Sequence, residues 1–315
     1  MVFCAVELSE GDGRMNTKRR SALRSGVSLH LLMIPGVIFT VIFSYIPMAG
    51  IAMAFQDYRS TKGFFEQKWV GFKYFERLFK MPDFYSILTN TLIIAVLKIG
   101  TLLLFSLVLA LLLNEIKSRR LRSGLQSMMI FPHFLSWIIL GELVRSLLAD
   151  NGLVNNILGH FGAGPVFFLG DPDLFRGVLV VTNLWQEAGF SAILYMAAIA
   201  GVDASLYEAA EMDGASRWQQ TVHITLGLIR PFIILLLILN IGNILNAGFD
   251  QVFNLYNGLV LSKADIIDTY VYRVGLLGAQ YSFGTAVGLF KSIIGVGLIG
   301  GSYYLADRFA GYRIF

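Results

Sequence analysis

Long apolar runs separated by polar connections dominate the chain from residue 29 onward. A helix needs about 20 apolar residues to cross the hydrocarbon of a bilayer. Six segments meet that length: residues 29–55, 86–113, 125–147, 176–201, 228–249 and 284–306. The pattern predicts an all-α polytopic membrane protein with six transmembrane helices, and an even number of spans places both ends of the chain on the same side.

Composition supports the membrane assignment. The chain has 315 residues, of which 56% are hydrophobic and only 15% charged, and its mean hydropathy is +0.65, which excludes an ordinary soluble domain. The net charge of +4 is typical of basic residues at cytoplasmic helix ends, so we expect lipids and no nucleic acid as partners. A single cysteine, Cys4, excludes an intramolecular disulfide and predicts no metal site.

The distribution of basic residues predicts the orientation. Residues 148–175 contain no Lys or Arg, whereas the loop 114–124 contains four basic residues, Lys117, Arg119, Arg120 and Arg122. By the positive-inside rule the basic loop is cytoplasmic and the other external. The basic N-terminal tail 1–28, with Met15 as an alternative start, and the C-terminal tail 307–315 are then cytoplasmic as well. The external assignment of 56–85 conflicts with the six basic residues of that loop.

The second half of the 56–85 loop predicts an amphipathic helix. Four apolar side chains share one helical face there: Phe72, Phe75, Leu78 and Phe79. Such a helix either lies in the membrane interface or packs on the helix bundle, and the sequence leaves both alternatives open.

Motifs of catalysis are absent from the sequence. It contains no G-x-x-x-x-G-K-[ST] phosphate loop, no H-E-x-x-H zinc helix and no G-x-S-x-G nucleophile elbow, and its four histidines lie in different segments. We therefore expect no catalytic residues and no enzyme activity. If the protein moves a solute uphill, the energy comes from an ion gradient or from an ATPase on another chain.

Charged residues inside apolar spans are costly and are functional candidates by default; here they are Lys98, Glu142, Arg145, Glu187 and Lys291. Glu142 and Arg145 are three residues apart and can pair on one helical face. Lys98 and Lys291 lie deeper, facing either a partner subunit or a wet cavity. Glu187 is then the only deep carboxylate predicted to be unpaired, which disfavours an ion-coupled carrier.

Amide side chains form a second pattern. Asn240, Asn243, Asn246 and Asp250 recur at spacings of three, three and four residues, which predicts one stripe on the fifth span. The fourth span adds Asn183, Trp185 and Gln186. A sugar suits this combination, because its hydroxyl groups need donors and acceptors and its apolar face can lie on an aromatic ring. The alternative is that the amides only join helices to one another.

The polar stretch between the fourth and fifth spans contains the most specific motif. Its helix-forming residues are interrupted at Asp213-Gly214 and resume at Trp218, which predicts two short helices around a glycine turn. It follows the pattern E-A-A, three residues, G, nine residues, I-x-L-P, in which Gly227 replaces the proline. The matching residues, with those that extend the motif, are Glu208, Ala209, Ala210, Asp213, Gly214, Ala215, Trp218, Ile224 and Leu226.

This stretch resembles the EAA loop of permease subunits in binding-protein-dependent ABC importers. The segment 69–79, followed by Asn90-Thr91-Leu92, and the pair Phe131-Pro132, followed by 150–155, are similar to permeases of the carbohydrate-uptake type. Within that type the pattern is closest to oligosaccharide or polysaccharide permeases. An acidic polysaccharide such as alginate is one alternative, because Lys98, Arg145 and Lys291 could offset a carboxylate.

The resemblance implies a type I importer permease fold with a transport core over 86–306 and cytoplasmic coupling helices in the EAA loop 203–227. It also implies a second permease subunit, in a heterodimer or a homodimer, of which the heterodimer is expected, and two ATP-binding subunits that use ATP and Mg, whereas this chain binds no cofactor itself. An external solute-binding protein and a location in the bacterial inner membrane complete the expectation. In the maltose-type relative the sugar contacts come from the spans flanking this loop, which implies Asn183, Asn240 and Asn243. A permease for a non-sugar solute and an ion-coupled secondary transporter remain alternatives.

Overall fold

The computed structural model describes residues 30–242 and 244–310. The predicted tail 1–28, the candidate Asn243 and residues 311–315 lie outside the described residues. The chain divides into two structural units between Met53 and Ala54.

The first unit contains helix α1, His30–Phe55, which continues two residues into the second unit. It includes a π-helical segment, Val41–Tyr45, and a 3-10 segment, Ile46–Phe55. Its apolar side chains, such as Leu32 and Phe39, are exposed, which suits a helix surrounded by lipid. This helix corresponds to the predicted first span 29–55.

The second unit opens with a small hairpin. Strands β1, Gln56–Asp57, and β2, Lys68–Trp69, are antiparallel, with Gln56 opposite Trp69. The loop between them contains a 3-10 turn, Phe64–Glu66. Its carbonyl groups are satisfied by the buried amide of Gln67, whose Nε2 donates to three of them at 2.9–3.0 Å.

Helix α2, Lys73–Lys80, packs on the last helix, α14, Tyr281–Ala310. Tyr74 and Leu78 are its buried residues, and the guanidinium of Arg77 lies 4.7 Å from the centre of the Phe283 ring. The packed alternative is therefore the one observed. The predicted apolar face is confirmed in part, since Leu78 is buried and Phe75 partly buried, whereas Phe72 and Phe79 are exposed. Tyr74 is buried as well, because its hydroxyl has a polar partner in Asp57.

Eleven further helices of the described residues lie between α2 and α14. The longer ones are α3 Phe84–Glu115, α4 Arg119–Ile130, α5 Trp137–Leu148, α7 Pro172–Ala200 and α10 Leu226–Gly242. The shorter ones are α6 Leu153–His160, α8 Ala204–Met212, α9 Arg217–Gln219, α11 Phe249–Leu255 and α12 Leu261–Ala264. One more short helix, α13 Ile267–Tyr270, precedes a π-helical segment, Val271–Leu277.

The number of membrane crossings agrees with the prediction. Four helices of the described residues are long and apolar enough to span a bilayer, or six if each of two bent pairs counts as one span. One bent pair replaces the predicted straight third span 125–147: Arg119–Phe134 and Trp137–His160 meet at 103°. The bend follows a 3-10 turn that contains Pro132, because a proline cannot donate the hydrogen bond that an α-helix needs.

The fifth span differs most from the prediction. Its helix is continuous from Arg217 to Gly242 and then ends. Asn246 follows in an irregular segment, and Asp250 belongs to α11, which starts after Gly248 in the left-handed conformation (φ 89°). The predicted single stripe through Asn240, Asn246 and Asp250 is therefore wrong, because the apolar run 228–249 contains a helix break that hydropathy does not detect.

The residues between the fifth and sixth spans form a buried layer. Val252, Ile266 and Ile267 are buried, and α11 and α12 pack against α7. The buried amide of Gln251 donates to Leu179 O at 2.8 Å, and Arg176 Nε donates to Lys263 O at 3.1 Å. This layer closes one end of the bundle formed by α3 and α7.

Contacts between distant residues define the two ends of the bundle. Glu115, at the end of α3, lies 4.0 Å from Arg217, at the start of α9. Lys263 of α12 pairs with Asp173 at the start of α7. The basic loop after α3 and the EAA stretch therefore lie at one end, and the layer of short helices lies at the other.

Candidate functional site

The predicted coupling stretch folds around a glycine turn. Helix α8 begins where the Asp203 side chain accepts from the Ser205 N–H at 3.0 Å, a bond that lowers the pKa of that carboxyl. It ends at Met212 and is followed by Gly214, whose φ is +77°. Ala215 N donates to Ala210 O at 2.9 Å and Gly214 N to Glu211 O at 3.1 Å, which is the pair of bonds of a Schellman C-cap.

The chain resumes as a helix at Ser216, whose side chain caps α9 together with Gln219. The turn between two helices is as predicted. The second helix, however, is not short, because α9 is continuous with the fifth span. Gly227, which replaces the proline of the motif, lies inside this continuous helix, in α10.

The stretch has an anchored side and an exposed side. The hydroxyl groups of Tyr207 and Thr225 lie 2.8 Å apart and connect α8 to the following helix, and Ile224 and Leu226 are partly buried. Met212 and Trp218, by contrast, are 87% and 74% exposed. Two large apolar side chains so exposed beside a polar surface are typical of a protein contact.

A cleft of about 340 Å³ separates the two helices of this stretch. Five of the predicted coupling residues line it, together with Gln219, Gln220 and His223: Ala210, Asp213, Gly214, Ala215 and Ile224. Glu208 and Ala209 are exposed on α8. We call the residues from Asp203 to Leu226 the coupling element.

A second, polar cavity of about 150 Å³ lies among α3, α7, α10 and the irregular segment before α11. Its polar lining consists of Lys98 and the amides of Asn183, Asn240 and Asn246. The structure thus brings together one charged candidate and three of the predicted amides.

Lys98 is bound to the break that follows α10. Its side chain is buried, and its Nζ donates to Ala247 O at 2.7 Å. The next residue, Gly248, has a φ of +89°, and a β-carbon there would lie 2.7 Å from Lys98 Nζ. Glycine is therefore required by the backbone conformation, and a side chain at this position would also displace the ammonium group.

Hydrogen bonds distinguish the amides of the cavity from those that join helices. Asn240 Nδ2 donates to Leu236 O of its own helix. The side-chain amides of Asn183 and Asn246 have no hydrogen-bond partner among the described residues. Gln186 and Gln251 instead donate to backbone carbonyls of other segments. The cavity amides are consequently available to a ligand, whereas the glutamines serve packing.

The remaining predicted pathway residues lie elsewhere. Gln186 is buried and donates to Leu135 O at 3.2 Å. Trp185 lines a separate apolar groove of about 410 Å³ between α5, α6 and α7, and Asp250 is exposed at the start of α11. The structure does not bring these three side chains to the polar cavity.

Four other charged candidates have partners within the chain. Arg145 contacts Glu142 at 3.2 Å, as predicted. Glu187 was predicted to be unpaired, but its Oε2 lies 3.0 Å from His133 Nδ1. Lys291 was expected to face a partner or a wet cavity and instead pairs with Asp268 at 2.6 Å. The sequence did not predict these two pairings, because each partner lies far away in the sequence and comes close only in the folded chain.

No cluster of three or more potential metal ligands occurs among the described residues. The chemistry that the described site offers is therefore hydrogen bonding and one positive charge.

Comparisons with known proteins place these features in a family. The family model described as "Binding-protein-dependent transport system inner membrane component" matches residues 102–310, which include the coupling element. The chain is 44% identical to Protein LplB of Bacillus subtilis over 92% of this chain and 91% of that protein. It is 43% identical to the polygalacturonan/rhamnogalacturonan transport system permease protein YteP of the same organism, over 91% and 90%.

A solved structure has the same fold. It is the crystal structure of a bacterial ABC transporter involved in the import of the acidic polysaccharide alginate. The sequence identity is 36% and the TM-score 0.85, and the match covers 93% of this chain and 99% of that chain. From the family model and these relatives, we conclude that the chain belongs to the binding-protein-dependent transport system inner membrane components.

Proposed function

We propose that this chain is the permease subunit of an ATP-driven importer and forms part of the translocation pathway for an oligosaccharide or polysaccharide. The printed functions of several relatives support a sugar: polygalacturonan and rhamnogalacturonan transport for one and alginate import for a solved structure. The observation that carries the proposal is the coupling element, an exposed pair of helices beside a cleft at one end of the bundle.

The coupling element is suited to receive force from another protein. Its turn is fixed by two backbone hydrogen bonds at Gly214, and the Tyr207–Thr225 contact ties it to the helix that leads into the fifth span. A push on Met212 or Trp218 would therefore be transmitted along the helix Arg217–Gly242 to Asn240. We propose that an ATP-binding subunit, which uses ATP and Mg, docks on this surface and drives the pathway open and closed.

The external partner is proposed to be a solute-binding protein. A solved relative has been crystallised in complex with a periplasmic protein bound to alginate pentasaccharide, and that chain is 35% identical to this one. In the proposed orientation the coupling element and both chain ends are cytoplasmic, and the layer of short helices α11–α13 faces the solute-binding protein.

The polar cavity is proposed to be this chain's share of the sugar path. Its volume of about 150 Å³ is smaller than the roughly 300–1,000 Å³ of a usual ligand site. A second permease subunit, in a heterodimer, would supply the other wall. The amides of Asn183, Asn240 and Asn246 can both donate to and accept from sugar hydroxyl groups.

An ion-coupled carrier is less well supported. Carriers of that kind use buried carboxylates to bind the coupling ion. Here Glu187 contacts His133, Asp268 contacts Lys291, and Asp265 contacts Arg273, so each carboxylate already has a basic partner.

Reconstitution in liposomes tests the proposal. The chain is combined with a second permease, ATP-binding subunits and a solute-binding protein from the same organism, and uptake of labelled oligosaccharide is measured. We expect uptake only with internal ATP and the binding protein present. Uptake driven by a proton or sodium gradient without ATP would contradict the proposal, and ATP-dependent uptake of amino acids but of no sugar would favour a non-sugar permease.

A further inference from the structure

We propose that Lys98 binds a carboxylate of the transported sugar and so makes the pathway selective for acidic saccharides. The inference rests on the proposed function, because it takes the polar cavity to be the sugar path. It adds a substrate class, sugars with uronate groups, and a residue that recognises it.

Lys98 differs from the other cations of the bundle in its burial and its partners. Its side chain is only 6% exposed, and it forms no ion pair among the described residues. Lys291 and Arg273, which are more exposed, pair with Asp268 and Asp265. A buried ammonium group without an ion-pair partner is unfavourable, and such a residue inside a membrane span usually marks a substrate path.

Glu187 does not neutralise Lys98 by direct contact. Its Oε2 contacts His133 Nδ1 at 3.0 Å, and it forms no ion pair with Lys98.

The hydrogen-bonding capacity of Lys98 is also incompletely used. An ammonium group has three donors, and one of them binds Ala247 O at 2.7 Å. Two donors remain in the cavity that Asn183 and Asn246 also line, and the side-chain amides of these two residues have no hydrogen-bond partner among the described residues. A uronate presents a carboxylate and neighbouring hydroxyl groups, which match one ammonium group flanked by amides.

Arg145, the other cation suggested by the sequence, does not offer this combination. Its guanidinium contacts Glu142 at 3.2 Å and Asn254 O at 2.5 Å, and it does not line the polar cavity. The geometry thus selects Lys98 among the three basic residues that could offset an acidic sugar.

The competing explanation is purely structural. The bond to Ala247 O satisfies a carbonyl at the helix break, and that alone could account for a lysine at this position. Two substitutions separate the roles. Lys98→Gln removes the charge and retains an N–H donor, one bond closer to the backbone than Nζ, whereas Lys98→Met removes both.

The experiment uses the complete complex in proteoliposomes with saturating solute-binding protein. The probes are trigalacturonate and the same trisaccharide with its carboxyl groups reduced to primary alcohols. For each sugar, uptake by the variant is divided by uptake by the wild type, so that the preference of the binding protein cancels. Complex yield and thermal unfolding are measured in parallel.

We expect Lys98→Gln to lower trigalacturonate uptake by about tenfold or more, the effect of losing a hydrogen bond to a charged group, and to lower uptake of the reduced sugar by a clearly smaller factor. Equal loss for both sugars, or no loss for either, would overturn the inference. If Lys98→Met alone lowers both the complex yield and uptake of both sugars, Lys98 is structural.

A wild-type complex that imports only the reduced sugar overturns the role of Lys98 but leaves the proposed function as a sugar importer intact. A complex that imports neither sugar, nor any other saccharide, refutes the proposed function itself.

Discussion

Substitution of Gly214 isolates the geometry of the coupling element from its packing. The residue has a φ of +77°, and a β-carbon added to it would meet no atom within 4 Å. Within this chain, any effect must therefore come from backbone strain, since the added atom would not clash with the chain's own atoms. An L-residue in this conformation costs roughly 1–2 kcal/mol, and a β-branched residue costs more, whereas asparagine tolerates the conformation best after glycine.

These values convert into an expected order of variants. A strain of 1–2 kcal/mol corresponds to a decrease of about 5- to 30-fold in the population of the turn, since about 1.4 kcal/mol is tenfold. The turn is held by the bonds of Ala215 N to Ala210 O and of Gly214 N to Glu211 O, and both are lost when it opens. We expect coupling to decrease in the order glycine, asparagine, alanine, valine.

The assay is sugar uptake per ATP hydrolysed in proteoliposomes that contain the whole complex. The exposed control, Ser216→Ala, removes the side-chain cap of α9 at a cost of about 1 kcal/mol but keeps the glycine turn. We expect the control to keep more coupling than Gly214→Val. Wild-type coupling in Gly214→Val, or equal losses in all three Gly214 variants, would refute the reasoning from backbone conformation.

Three other predictions follow from the contacts of single side chains. Asn240→Leu should lower uptake by about 2- to 10-fold, the effect of one neutral hydrogen bond. The complex yield should not change, because the observed bond of Asn240 is to Leu236 O of its own helix. Loss of assembly would contradict a role in the sugar path. Lys291→Met should destabilise the complex by about 1–3 kcal/mol, less than for a fully buried pair, since the side chains of Lys291 and Asp268 are 22% and 23% exposed. The unfolding temperature should recover in the double variant with Asp268→Asn. A further, additive loss in the double variant would be inconsistent with the pair. The Tyr74 hydroxyl donates to Asp57 Oδ1 at 2.7 Å and holds the pKa of that carboxyl below its ordinary value of 3.8. The stabilisation from this contact is therefore present above pH 3.8 and is lost as the pH falls through the lowered pKa. Between about pH 5 and pH 3 the unfolding temperature of the wild type should fall more than that of Tyr74→Phe, and parallel curves would contradict the contact.

The sequence predicted those features that depend on local pattern. Hydropathy is set by consecutive residues, so the spans near α3 and α14 were found within a few residues. The glycine turn at Gly214 was predictable because only a few residues adopt a left-handed backbone. The same reasoning failed at the fifth span: Asn240 and Asn246 meet at one cavity, but through a helix break and not through a continuous stripe.

Features that depend on long-range packing were not predictable. The pairing of Glu187 with His133 joins residues 54 positions apart, and Lys98 reaches Ala247 across 149 positions. No local pattern encodes such contacts. The sequence did contain one indication of this contact, since a lysine inside an apolar span needs a polar partner. The structure places Lys98 against Gly248 at the helix break.

Site-specific photo-crosslinking tests the central claim, that the coupling element is where an ATP-binding subunit contacts this chain. A photoreactive phenylalanine derivative replaces Met212 or Trp218, and the control positions are Phe161 and Phe134, which are 85% and 76% exposed but lie outside the coupling element. We predict adducts with the ATP-binding subunit from the first two positions, changing in yield when ATP is added, and none from the controls. Adducts from Phe161 and none from Met212 or Trp218 would contradict both the docking surface and the proposed orientation.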